Sequence, residues 1–98
     1  MSLWVFNEPE NLAVITDKRF VREGKPILLV THNEDDGGWQ FLWEGETSEE
    51  NAMVVSLKRV VQLDASVEVL ADLPLGGRAW RRSPRQSWER SEGADEGK

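Results

Sequence analysis

One short stretch gathers most of the side chains that could do chemistry. His32 is the chain's single histidine, and Glu34, Asp35 and Asp36 follow it directly ahead of a glycine pair. A histidine side chain titrates near neutral pH and often serves as a general base, while carboxylate oxygens are the usual ligands of calcium and magnesium. The stretch therefore suggests two kinds of site: acid–base catalysis by His32, or a divalent-metal site on the Asp35/Asp36 loop.

For neither kind of site does the sequence supply the other residues that would be needed. No residue is marked as a nucleophile for His32 to activate, because the chain has no cysteine and no serine in a nucleophile-elbow context. Calcium loops space their ligands at alternate positions, whereas these three acids are adjacent. Adjacent acids before a glycine are typical of a solvated turn. We therefore predict no catalytic, cofactor-binding or metal-binding residues and no enzymatic activity; a small enzyme or metal-binding module using His32 and the Asp35/Asp36 loop is the alternative.

Acidic and basic residues are segregated along the chain. Residues 34–50 include seven acids and no lysine or arginine, and residues 78–90 include five arginines and one acid. Such segments form either solvated faces that attract each other in the fold or an acidic surface that attracts a basic partner. The net charge of −6 repels nucleic acid from the molecule as a whole. The predicted partner is a protein, and neither nucleic acid nor a membrane.

Tryptophan is unusually frequent, with five residues in a chain that has no tyrosine. Trp39, Phe41 and Trp43 alternate as on one face of a strand, and the first two are predicted to lie in the core. Whether Trp43, Trp80 and Trp88 lie in the core or on the surface stays open at this stage. Aromatic residues flanked by acids are typical of a protein-binding hot spot. The predicted partner-binding residues are Glu34, Asp35, Asp36, Trp43, Glu44 and Glu46.

Length and composition predict one domain over residues 1–88 and a disordered tail over residues 89–98. The 98 residues contain no apolar run long enough to span a bilayer and no recognisable signal peptide at their start. Together with the lack of cysteine, these features predict a cytoplasmic protein. The oligomeric state is left open.

Apolar runs and turn residues predict the elements. Strands are expected at residues 11–16, 26–32, 39–45 and 52–57, with the second and third joined as an antiparallel hairpin. A turn or single helical turn is expected near residues 17–26, and another near Thr47–Glu50. Two short helices, split near Asp64 and capped by Ser56 and Asp64, should precede a last strand at Ala79–Trp80. The predicted core comprises Val14, Ile15, Ile27, Leu29, Trp39, Phe41, Val55, Val60, Leu63 and Leu70.

The stretch from Val14 to Gly45 resembles a family of small bacterial domains of unknown function grouped with the polymorphic-toxin immunity proteins. That family has an acidic loop ending Asp-Ser-Gly-Trp-x-Phe, which corresponds here to Asp36, Gly37, Gly38, Trp39, Gln40 and Phe41. The resemblance extends over about residues 13–82, with a Leu-x-x-Pro-x-Gly-like turn from Leu73. Gly37 replaces the family's serine, and Gln40 stands where a basic residue is common.

The resemblance implies an α+β domain and supplies no catalytic residues. The predicted fold is accordingly a small, mostly antiparallel sheet with two or three short helices on one side. The predicted function is non-enzymatic protein binding, with an immunity-like protein that blocks a basic bacterial toxin as the specific hypothesis.

Overall fold

The protein folds into a six-stranded sheet with short helices on one face. The structure is a computed structural model, and it describes residues 4–43 and 48–91. The elements run in the order β1 (Ala13–Asp17), α1 (Lys18–Glu23), β2 (Leu29–His32), β3 (Trp39–Leu42), β4 (Ala52–Ser56), α2 (Leu57–Leu63), a 3₁₀ helix (Ala65–Leu70), β5 (Arg78–Trp80) and β6 (Glu89–Ser91).

Strands are arranged in the order β4-β1-β3-β2-β5-β6. The β1–β3 pair is parallel, and every other neighbouring pair in this sheet is antiparallel. The predicted α+β class and mostly antiparallel sheet are confirmed. None of the described helices is long and apolar enough to cross a membrane.

Short polar side chains define where the helices begin. The Asp17 carboxylate accepts the Arg19 N–H at the start of α1, and Ser56 accepts the Arg59 N–H at the start of α2. Asp64 then accepts the Ser66 N–H and begins the 3₁₀ helix. Each of these bonds satisfies a backbone N–H that has no partner within its own helix. The predicted caps Ser56 and Asp64 are therefore confirmed, as is the helical turn near residues 17–26.

The core lies between the helices and one face of the sheet, which we call the inner face. Of the predicted core residues, Val14, Ile27, Trp39, Phe41, Val60 and Leu70 are buried in this core, and Ile15 and Val55 are half-buried. Leu29 is also buried, but on the opposite face of the sheet. Leu63 is 40% exposed, so its predicted core position is wrong. The reason is that α2 ends at Leu63 and the chain turns into the 3₁₀ helix, where Val67 and Leu70 enter the core instead.

The opposite, outer face of the sheet receives no buried residue from the helices. Side chains alternate along a strand, so Val30, His32, Trp39 and Phe41 lie on the inner face. Their neighbours in β2 and β3 lie on the outer face, as do Arg78 and Trp80 of β5. The helices' buried residues all belong to the inner core: Phe20, Leu57, Val60, Val67 and Leu70.

The sheet extends beyond the predicted domain boundary at residue 88. Glu89–Ser91 pairs with β5, so the strand at Ala79–Trp80 is not the last one. The preceding residue is anchored, because Trp88 donates a hydrogen bond to the Ser66 carbonyl and the Arg81 guanidinium lies 4.0 Å from the centre of its ring. That anchor brings the next residues back along β5. Residues 92–98 of the predicted tail, and Thr47 of the predicted helical turn, lie outside the described residues.

Candidate functional site

The β2–β3 hairpin holds its acidic loop by a set of local hydrogen bonds. The Asn33 N–H donates to the Gly38 carbonyl at 2.7 Å, and the Gly37 N–H donates to the Asn33 carbonyl at 2.9 Å. The Asp36 carboxylate accepts the Gly38 N–H at 2.8 Å. Gly37 has φ of 72°, the left-handed region that glycine adopts without strain. The predicted hairpin is confirmed, and Gly37 is the residue of the glycine pair that adopts the left-handed conformation.

All three loop acids are exposed at this convex turn. Among the described residues, no lysine or arginine forms an ion pair with Glu34, Asp35 or Asp36. The arginine-rich segment instead pairs elsewhere, through Arg81 with Asp64 at 3.2 Å and Arg90 with Asp72 at 3.0 Å. The loop charges are thus left for solvent or for a partner.

A shallow cleft of about 290 Å³ adjoins the loop on the outer face of the sheet. Its floor includes Thr31 and Gln40, whose side chains are hydrogen-bonded at 3.0 Å. Glu34 and Arg78 both line it, so it offers an acidic and a basic group to an occupant. Asp35 and Asp36 do not line it. Trp80, 39% exposed, lies beyond Arg78 on the same face.

His32 lies away from solvent, although it is at the end of a strand beside an exposed turn. It is 9% exposed, and its ring stacks on Trp39 with centroids 4.0 Å apart. Its Nδ1 lies 2.8 Å from the Leu73 carbonyl oxygen. A carbonyl only accepts, so Nδ1 carries the proton. The strand period explains the placement, because His32 shares the inner face with Val30.

Glu8 is the polar residue of this region that sequence reasoning missed. Its Oε2 accepts the Trp39 indole N–H at 3.0 Å and lies 3.7 Å from His32 Nε2. Its backbone carbonyl accepts the Trp4 indole N–H at 2.6 Å. Its other carboxylate oxygen is buried and has no hydrogen bond within the described part of the chain. The one signal in the sequence is that Glu8 closely follows Trp4 and Phe6. These aromatic side chains are expected to pack in the core and to bring Glu8 close to it.

Trp39 organises this inner cluster. Its ring lies edge-on to Phe6 with centroids 5.4 Å apart and stacks with Phe41 at 5.8 Å. Phe6 in turn contacts Trp4 at 5.7 Å. These rings dock the N-terminal segment onto the inner face of the hairpin. The Glu8–His32–Trp39 group is consequently a polar cluster packed at the edge of the core. Trp39 lies on the opposite face of the hairpin from Thr31 and Gln40 of the cleft floor, and His32 also borders the cleft.

The remaining predicted partner-binding residues do not gather at the loop. Trp43 follows β3 at the end opposite the loop, about 13 Å along the strand from Trp39. It is half-buried, with the Arg19 guanidinium 4.7 Å and the Lys25 ammonium 5.2 Å from its ring centre. Glu44 and Glu46 lie outside the described residues. The structure brings Glu34, Asp35 and Asp36 together and separates them from Trp43.

No group of three or more histidine, aspartate or glutamate side chains is placed to hold a metal ion in residues 4–43 and 48–91. His32 and the Asp35/Asp36 pair in particular do not converge, because the imidazole is held on the inner face and the two aspartates lie at the exposed turn. The geometry thus defines an α+β domain with an acidic hairpin tip beside an outer-face cleft.

No protein-family model, curated protein or solved structure matches this chain. Membership of the immunity-associated family stays a prediction from the sequence motif.

Proposed function

We propose that this protein is a non-enzymatic protein-binding domain that contacts a basic partner through its acidic hairpin tip, Glu34–Asp36. One observation carries the proposal: three exposed carboxylates stand on a hydrogen-bonded turn, and none is neutralised by an ion pair with the described residues. A turn of this type needs one Asp–Gly pair and does not need the other two acids. Adjacent like charges repel one another, so fold stability alone does not explain them.

The turn's rigidity favours binding. The loop is held by hydrogen bonds before any partner binds. Asn33 bonds to Gly37 and Gly38 through the backbone, and the Gly38 N–H donates to the Asp36 carboxylate. A preformed surface loses less conformational entropy when it binds than a loop that must become ordered. The local negative field would speed the encounter with a basic surface, an effect that added salt weakens.

The cleft and Trp80 extend the proposed contact area over the outer face. Glu34 belongs to both the tip and the cleft, so a partner that docks on the acids reaches the cleft floor at Thr31 and Gln40. Trp80 supplies an exposed aromatic anchor across Arg78. An aromatic residue beside charged groups is the composition that protein-binding hot spots favour.

The resemblance to immunity-associated domains suggests a specific partner class, a basic bacterial toxin, with the cytoplasm as the site of action. A toxin that handles nucleic acid needs lysine and arginine to bind phosphates, and such a surface complements the loop. Inhibition by this domain would then consist of covering that surface.

Affinity capture with matched charge variants tests the proposal. The wild-type protein, the double variant Glu34→Lys/Asp35→Lys and the control Glu23→Lys are immobilised and exposed to an extract of the source organism. Asp36 is left unchanged because its carboxylate accepts the Gly38 N–H within the turn. Glu23 is an exposed acid at the end of α1, remote in sequence from the loop. We expect a basic protein that the wild type and the Glu23→Lys control retain and the loop variant loses. Retention that is equal on all three would contradict the proposal.

A further inference from the structure

Strand β4 forms one edge of the sheet in the described part of the chain, and its own sequence lacks the residue types that usually protect an edge. Its neighbour in the sheet is β1, on one side. Its sequence, Ala-Met-Val-Val-Ser, contains no charge and no proline. Val54 at its centre is 63% exposed. An uncharged edge strand with an exposed β-branched residue is a template for pairing with another strand.

The hydrogen-bond pattern identifies which backbone groups of β4 are available. Lys18 N–H donates to the Asn51 carbonyl, and Leu57 N–H donates to the Leu12 carbonyl. Antiparallel pairs alternate between bonded and non-bonded positions, so Met53 and Val55 are the β4 residues bonded to β1. The backbone groups of Ala52, Val54 and Ser56 therefore point away from β1, toward the free edge.

We propose that β4 pairs antiparallel with β4 of a second copy of this chain, with Val54 on the two-fold axis. The two Val54 residues would exchange reciprocal hydrogen bonds. Each Ser56 N–H would donate to the partner's Ala52 carbonyl. Other registers use fewer of these groups, because the Ser56 carbonyl lies at the start of α2 and the Ala52 N–H already donates to the Glu49 carbonyl.

Charge complementarity favours a second copy as the occupant. Two exposed acids, Glu49 and Glu50, precede β4, and two exposed bases, Lys58 and Arg59, follow it. In the register centred on Val54, two-fold symmetry places the acidic end of each β4 beside the start of the partner's α2, where the two bases lie. Lys58 pairs with Glu10 at 3.7 Å, so Arg59 is the base that the partner's Glu49 would meet. Met53 likewise meets the partner's Val55, so half-buried apolar side chains cover each other. A C2 interface must be self-complementary in this way.

This pairing is independent of the proposed function. The β2–β3 hairpin lies inside the strand order, with β1 between it and β4, so both acidic tips would remain free in the dimer. A dimer that fails to form would leave the partner-binding proposal intact, and the reverse also holds.

Sedimentation equilibrium of the full chain up to millimolar concentration tests the pairing. The expected result is a mass that rises from 11.2 kDa toward twice that value. Val54→Lys places like charges against each other on the axis and should weaken dimerisation at least about tenfold. The control Val69→Lys alters a valine of similar exposure, 65%, in the 3₁₀ helix and should leave dimerisation unchanged.

A charge swap and hydrogen exchange identify the register. Glu49→Arg and Arg59→Glu should each weaken the dimer, and the double variant should restore it, because the exchanged charges still attract. The Val54 and Ser56 amide hydrogens should exchange more slowly as the protein concentration, and with it the fraction of dimer, increases. A monomer at millimolar concentration, or a dimer insensitive to Val54→Lys, would overturn the proposal.

Discussion

The three carboxylates at the tip of the β2–β3 hairpin differ in almost every physical respect from the one carboxylate that packs against the hairpin's inner face. Glu34, Asp35 and Asp36 lie at the exposed tip with no ion pair to the described residues. Glu8 lies against the inner face, accepts the Trp39 indole N–H and lies near His32. At the tip only Asp36 has a structural role, as the acceptor of the Gly38 N–H. Glu8, in contrast, holds the N-terminal segment against the hairpin.

The difference shows how environment sets the role of a carboxylate. Exposed adjacent acids such as Glu34 and Asp35 stay hydrated and act mainly through their electric field, which salt screens. An isolated acid next to aromatic residues is drawn inward and must receive a hydrogen bond, because an unpaired buried charge is costly. Glu34 and Asp35 are therefore expected to tolerate substitution, whereas Glu8 and Trp39 are not.

The largest expected effect is at Trp39. Trp39→Ala should lower the free energy of unfolding by about 3–5 kcal/mol, because the residue is 1% exposed and joins Phe6, His32 and Phe41. The matched change Trp80→Ala removes a partly exposed ring from the outer face and should cost far less. Urea denaturation of both variants measures the two losses. Equal losses would show that the inner and outer faces are packed alike.

Removing the acceptor for Trp39 should have the next largest effect. Glu8→Leu leaves the buried indole N–H without its partner and should destabilise the protein by about 1–3 kcal/mol. Glu8→Gln retains an acceptor oxygen and should lose less. Glu10→Leu, a change of the same kind at an exposed neighbour, serves as the control in thermal unfolding. If Glu8→Leu were as stable as that control, the hydrogen bond between Glu8 and Trp39 would not contribute to the stability of the fold.

The third largest loss of stability is expected from backbone strain at Gly37. Gly37→Val forces a β-branched residue into φ of 72° and should destabilise the hairpin by about 1 kcal/mol or more. Gly38 has no positive φ, and a side chain there first meets the exposed Asp36 carboxylate at 3.1 Å. Gly38→Ala should be milder. Chemical denaturation distinguishes the two, and equal tolerance would contradict the role given to Gly37.

The smallest expected effect is that of the tip acids on stability. Glu34→Gln and Asp35→Asn should each change the free energy of unfolding by less than about 0.5 kcal/mol. Calcium or magnesium at about 5 mM should leave the unfolding temperature unchanged, whereas a ligand at about 100 times its Kd would add about 2.7 kcal/mol. A clear upward shift with either ion would reveal a metal site on the loop and favour the alternative function.

Local signals in the sequence predict local structure well here. The Asp36–Gly37 pair predicts the hairpin, and Ser56 and Asp64 predict where helices begin, because each depends on a few adjacent residues. Pairing between strands that are distant in sequence is harder to predict. The sequences of β1 and β3 do not by themselves indicate that these two strands pair in parallel. The pairing of Glu-Arg-Ser in β6 depends on how Trp88 docks, and Glu8 acquires its role only when residues distant in sequence meet.

The candidate site was predicted in part for the same reason. Three adjacent acids indicate an exposed tip directly. The cleft, by contrast, combines residues from β2, β3 and the segment leading into β5, which only the folded sheet brings together. Trp43 was grouped with the acids by its position in the sequence, but β3 separates them.

The central claim, that the tip acids serve binding rather than folding, is tested most directly by association kinetics with the captured partner. Stopped-flow rates are compared for wild type, Glu34→Lys/Asp35→Lys and Glu23→Lys at low salt and at about 1 M salt, where the Debye length falls to about 3 Å. We predict that the loop variant folds normally and associates about tenfold more slowly at low salt, with the gap closing at high salt. Equal rates for all three proteins at low salt would contradict the claim and leave the acids as a solvated turn.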